Sequence, residues 1–146
     1  MHSMNNKSIN EIQDSIIDDF EVFDDWIEKY EYLIEYAKSL PLIDEKYKVD
    51  EALVKGCQSK VWLHAEAKNN KVLYKADSDA AITKALVGLM ISVFSNHTPK
   101  EILNADLYFI DKIGLKEHLS VNRSNGLTSM IKLMKIHALG IQAKTT

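Results

Sequence analysis

Residues Ser59–Asp77 read SKVWLHAEAKNNKVLYKAD. Two runs rich in β-formers, SKVWLHAEA and KVLYKAD, are joined by Lys68-Asn69-Asn70-Lys71, a sequence suited to a hairpin turn. Strict alternation sets Val61, Leu63 and Ala65 on one face and Trp62, His64 and Glu66 on the other. A small antiparallel sheet with one apolar face needs helices to cover it.

The flanking segments supply them. Ser8 with Glu11 forms a capping box, and Ile9, Ile12, Ile16, Ile17 and Phe20 follow at helical spacing. A second helix is expected from Asp24 or Asp25, with Glu28 placed for the same reciprocal cap. Its stripe is Trp26, Ile27, Tyr30, Leu33, Ile34, Ala37 and Leu40, and Pro41 stops it. The polar connector PLIDEKYKVDEALVKG leads from Pro41 to Gly56.

Beyond the hairpin, Asp77 or Ser78 is expected to cap a helix carrying Ile82, Ala85, Leu86, Leu89, Met90, Val93 and Phe94. Thr98-Pro99-Lys100-Glu101 combines an N-cap, a proline at the first helical position and a capping-box glutamate. The segment LYFIDKIGL reads equally as helix or strand. A last helix is expected from near Ser124, with Leu127, Met130, Ile131, Met134, Ala138 and Ile141. No repeat, low-complexity tract or linker divides the chain. The expectation is one α+β domain over residues 1–146, a small antiparallel sheet packed by helices, with a disordered tail at residues 1–8.

The 146 residues are 46% hydrophobic, enough for a real core, and carry a formal net charge of −3. A basic footprint is missing, so nucleic acid is not an expected partner. Acidic residues crowd the first quarter, from Glu11 to Glu35, as solvated helix faces do. The start MHSMNNKSIN has no apolar signal-peptide core, and no run of about eighteen apolar residues suggests a membrane span. A single cysteine forms no internal disulfide, which fits a reducing, cytoplasmic setting.

That cysteine, Cys57, stands in VKGCQSKVW, between Gly56 and Gln58 and ahead of the apolar strand residues. A free cysteine is often a small buried hydrophobe. At a loop-to-strand junction it is better placed to present its thiol, with Gly56 giving the loop backbone freedom. Lys55 and Lys60 are expected to favour the thiolate weakly. The histidines His64, His97, His118 and His137 show no ligand spacing, and one thiolate does not hold an iron–sulfur cluster. His118 is the base a cysteine hydrolase would need, but no substrate-pocket signal accompanies it. No glycine-rich phosphate loop is present. By themselves, Asp77 and Asp79 read as capping charges and Arg123 as a surface arginine.

Three segments together carry more. GCQSKVW, DSDAAITKAL and HLSVNRSNGLTSMI, in this order and spacing, resemble the SufE/CsdE family of sulfur-acceptor proteins, and WIEKYEYLIEYAKSLP resembles that family's second helix. The resemblance runs from about Ile12 to Gln142. Ala85 departs from a glycine frequent in the family, at a helical site where alanine is the better helix former.

The resemblance implies an IscU-like fold. It implies a non-enzymatic accessory protein without a cofactor of its own, partnered by a pyridoxal-phosphate cysteine desulfurase of the SufS or CsdA type. Cys57 would accept sulfane sulfur as a persulfide and pass it to an iron–sulfur assembly scaffold. The cysteine would rest tucked against the body and swing out on docking, with Gly56 as hinge. Gly56→Val is then expected to slow sulfur uptake while leaving the fold intact. Gln58, Asp79, Arg123 and His118 fall in the matching motifs; Asp79 would hold the loop, Arg123 would stabilise a thiolate or persulfide anion, and His118 would be structural. The rival reading is a redox-sensing or partner-binding module whose single thiol is oxidised reversibly.

Overall fold

The computed structural model describes residues 7–145. Its centre is the hairpin of β1 (Val61–Lys68) and β2 (Lys71–Ser78), paired antiparallel from Val61 with Ser78 to Lys68 with Lys71. Asn69 and Asn70 turn it with φ of 54° and 65°. Two successive left-handed residues make a type I′ turn, whose twist matches that of the strands.

The buried face carries Val61 and Leu63 from β1 and Val72, Tyr74 and Ala76 from β2. The outer edge of β2 is closed by backbone at both ends. The Ala76 N–H donates to the Pro41 carbonyl and the Ala76 carbonyl accepts from the Ile43 N–H, while Val72 exchanges bonds with Asn96 and His97. Between them the Tyr74 N–H donates to Ser95 Oγ at 3.0 Å. An edge filled in this way offers no template for another strand.

Six helices surround the hairpin among the described residues. α1 (Ile9–Glu21) begins with the full Ser8–Glu11 capping box. The tail expected over residues 1–8 lies outside the described residues for 1–6, whereas Ser8 caps α1 and the Lys7 carbonyl lies 2.9 Å from His97 Nε2. α2 (Trp26–Lys38) is capped by Asp25, which accepts from the Glu28 N–H; the reciprocal bond from Glu28 expected from sequence is not among those formed.

α3 (Ala81–Phe94) is buried along most of its length and lies between the sheet and α2. It begins later than the sequence suggests, and neither Asp77 nor Ser78 caps it. β2 runs through Ser78, and the N-cap position is Ala80, with no side-chain bond. Asp77 is engaged elsewhere, its carboxylate 2.7 Å from Lys48 Nζ and 3.3 Å from Lys84 Nζ. Two cationic partners outcompete a cap.

α4 (Pro99–Asn104) carries the second complete capping box, Thr98 with Glu101. The ambiguous LYFIDKIGL becomes the short α5 (Phe109–Lys112), whose Phe109 and Ile110 are buried. Gln13 of α1 organises this corner. It is fully buried, donating to the Asp106 carbonyl at 3.0 Å and accepting from the Phe109 N–H at 3.2 Å.

α6 (Val121–Thr145) closes the core with Leu127, Met130, Met134 and Ala138. The Tyr74 hydroxyl donates to the Met134 carbonyl at 2.7 Å inside this contact. α6 opens three residues before the expected Ser124, because Ser120 Oγ accepts from the Arg123 N–H. Asn122 and Arg123 therefore stand on its first turn, facing the loop before β1. No helix among the described residues is long and apolar enough to cross a membrane.

Candidate functional site

Two backbone clamps define the loop that holds Cys57. At its entrance the Val54 N–H donates to the Val61 carbonyl at 2.8 Å. At its exit Asp79 grips Lys60 twice. The Lys60 N–H donates to Asp79 Oδ1 at 3.0 Å, and the Asp79 N–H donates to the Lys60 carbonyl at 3.2 Å. The residues between are tethered at both ends and bridge from the sheet to α6.

Gly56 has φ of +90°, a conformation that side chains rarely adopt. A Cβ there would lie 2.7 Å from Ser129 Oγ of α6. Valine at this position would be strained and would press on the Ser129 hydroxyl of α6 as well as stiffen the loop, a disturbance local to the Cys57 loop.

Past this turn the Cys57 side chain points at α6. Its Sγ–H donates to the Gly126 carbonyl at 3.7 Å. The next residue adds a second tie, Asn122 Nδ2 donating to Gln58 Oε1 at 3.4 Å. Around the thiol lies a cavity of about 50 Å³, walled by Thr83, Leu86 and Val87 of α3 and by Asn122, Arg123, Gly126, Leu127 and Met130 of α6.

Cys57 is half-buried, and burial pushes its thiol above the ordinary value. The expected thiolate-favouring effect of Lys55 and Lys60 is not what governs the resting site. Both lysines are exposed and the thiol is not. A neutral thiol in an apolar seat is a poor nucleophile.

Cys57, Gln58 and Arg123 thus line one cavity, Gly56 forms the turn beside it, and Asp79 acts through Lys60. His118 is elsewhere. Its ring stacks on Trp26 with centroids 3.9 Å apart, and its carbonyl accepts from the Tyr30 hydroxyl at 2.6 Å. A general-base partnership with Cys57 has no support from that position. Among the described residues no group of three or more His, Cys, Asp or Glu side chains comes together to hold a metal.

Gly126 and Ser129 escaped the reading of single residues. A glycine inside a helix does not by itself mark a close approach, and a Cβ on Gly140 of the same helix would meet nothing within 4 Å.

Comparison with known proteins follows the same residues. Positions 14–138 match the family model SufE, described as an Fe-S metabolism associated domain. The chain belongs to the SufE family. An uncharacterized SufE-like protein of Rhizobium meliloti is 43% identical over 132 residues, covering 87% of this chain and 94% of that protein. SufE-like protein 1 of Arabidopsis thaliana, labelled chloroplastic/mitochondrial, is 41% identical over 119 residues; the match covers 80% of this chain and 32% of that longer protein. In fold, the SufE chain is similar to a hypothetical protein from Thermus thermophilus solved in solution. The TM-score is 0.75 at 21% identity, over 92% of this chain and 97% of that one. Membership of this family supports a role in Fe-S metabolism.

Proposed function

We propose that this protein is a sulfur acceptor and activator of a pyridoxal-phosphate cysteine desulfurase of the SufS or CsdA type. It would take sulfane sulfur on Cys57 and pass it to an iron–sulfur assembly scaffold. The observation that carries the reading is the seat of the single thiol, on a loop clamped at both ends and facing a cavity of about 50 Å³. A space of roughly 10–15 Å³ by such a measure already holds a water, so one additional sulfur atom fits.

The transfer is thiol exchange. The Cys57 thiol gives up its proton, and the thiolate attacks the terminal sulfur of the desulfurase persulfide. One sulfur–sulfur bond forms as another breaks, and the desulfurase cysteine leaves as a thiolate. Nothing is oxidised or reduced overall. Because burial raises the Cys57 pKa, the thiol gains nucleophilicity when the loop leaves its seat. Back in the seat, the persulfide anion would face Arg123, whose guanidinium suits a soft anion. With no second cysteine in the chain, internal attack cannot discharge the persulfide as a disulfide. A reducing compartment such as the cytoplasm suits this chemistry. The same seat weighs against the redox-sensor reading, since a sensor thiol is low in pKa and accessible.

Intact-mass spectrometry tests the proposal. The protein is mixed with a SufS-type desulfurase, its pyridoxal phosphate and free cysteine. The expected result is a gain of one sulfur atom that is absent in Cys57→Ser. No gain with either a SufS-type or a CsdA-type desulfurase overturns it.

A further inference from the structure

Gly126 lies on α6, which it weakens, because glycine is the poorest helix former apart from proline. Its φ is not positive, so the backbone does not demand glycine. Space does. A Cβ built on Gly126 would find Cys57 Sγ at 3.1 Å, Cys57 Cα at 3.5 Å and Cys57 Cβ at 3.7 Å, and these are its nearest neighbours. The same helix supplies its own contrast in Gly140, where a Cβ would meet nothing within 4 Å.

One turn further along α6, Ser129 occupies the matching place opposite Gly56. The loop and the helix therefore meet through two missing side chains, one on each surface. A methyl group on Gly126 would require Cys57 Sγ to give way by a few tenths of an ångström, and one on Gly56 would press on the Ser129 hydroxyl.

We propose that Gly126 is a positioning residue that, with Ser129, forms a latch on α6 and sets how far the Cys57 loop is seated or released. The inference rests on the reading of Cys57 as the sulfur acceptor, which gives the latch its purpose. It protects the thiol at rest and yields when a partner draws the loop out. A methyl group at position 126 shifts this balance toward release without touching any partner.

The test is the rate at which iodoacetamide alkylates the native protein, measured across pH for the wild type, Gly126→Ala and Gly140→Ala. If release is a minor state of a few per cent, raising its population gives Gly126→Ala about tenfold faster alkylation. Its pH midpoint should also move down toward that of an ordinary thiol, because the thiol loses its buried surroundings. Gly140→Ala gains the same helix propensity in open space and should alkylate as the wild type does. Ser129→Val, which presses on the loop from the Gly56 side, takes the place of Gly126→Ala if that variant fails to fold.

A folded Gly126→Ala with wild-type rate and pH midpoint overturns the latch. So does equal acceleration in Gly140→Ala, which would assign the effect to the helix as a whole. The latch and the sulfur acceptor fail in different ways. Faster alkylation with no sulfur gain in the wild type leaves the latch standing and removes the sulfur acceptor. Sulfur gain with unchanged alkylation removes the latch alone.

Discussion

At the scale of single residues, the Cys57 loop is held by contacts that can be removed one at a time. Asp79 is exposed, so its bond to the Lys60 N–H is worth about 0.5–1 kcal/mol. Asp79→Ala should therefore raise the alkylation rate of Cys57 about two- to fivefold, whereas Asp79→Asn, which keeps an acceptor oxygen, should stay near the wild type. Equal rates in all three would show that the exit clamp does not restrain the thiol. Gly56→Val combines two effects. The side chain is strained at φ of +90° and collides with Ser129, so the thiol becomes more accessible. The stiffened loop should at the same time load sulfur from a desulfurase more slowly, and normal loading would refute Gly56 as a hinge. Cys57 could be singled out in the chain because it is the only thiol and follows a glycine. Gly126 and Ser129 could not, since their importance lies in what crosses above them.

At the scale of elements, Gln13 ties distant parts of the chain. Its fully buried amide joins α1 to the segment between α4 and α5. Gln13→Ala strands the buried Phe109 N–H, at a cost of about 1–3 kcal/mol, and removes the partner of the Asp106 carbonyl. Thermal unfolding should show a midpoint several degrees lower, with sulfur loading unaffected because the corner lies away from Cys57. An unchanged midpoint would mean that water replaces the amide. Elements whose ends are set by neighbours in sequence were legible, as with the Ser8–Glu11 and Thr98–Glu101 boxes. Elements whose ends depend on remote partners were not. The start of α3 moved because Lys48, far back in the connector, takes the carboxylate of Asp77.

At the scale of the whole molecule, stability should depend on pH in two stages. Burial, and then the neighbouring His64, hold the His137 pKa below its ordinary 6.5, and its Nδ1 is buried without a hydrogen-bond partner among the described residues. A depressed value means that the unfolded chain binds the proton more readily. The contribution is complete above about 6.5 and is lost as pH falls through the lower folded value. Asp77 acts in the same sense at lower pH. Burial raises its pKa, but bonds from Lys48, the Ser78 N–H and Lys84 outweigh this and bring it below 3.8, so its contribution fades further into acid. Thermal midpoints measured against pH should therefore be level above neutrality and fall twice. His137→Gln should remove the first fall, and Asp77→Asn should reduce the second. Midpoints independent of pH between neutrality and about pH 5 in the wild type would contradict the first stage. By itself the sequence determined the hairpin, the helices that cover it, the single thiol and the family, because alternation, helical spacing, capping pairs and motif order are all local or linear properties. Tertiary structure alone decided that Cys57 rests half-buried against Gly126, that Asp79 clamps Lys60 and that His118 stacks on Trp26. These depend on the distance between surfaces that the chain brings together only when the loop, α3 and α6 share one core.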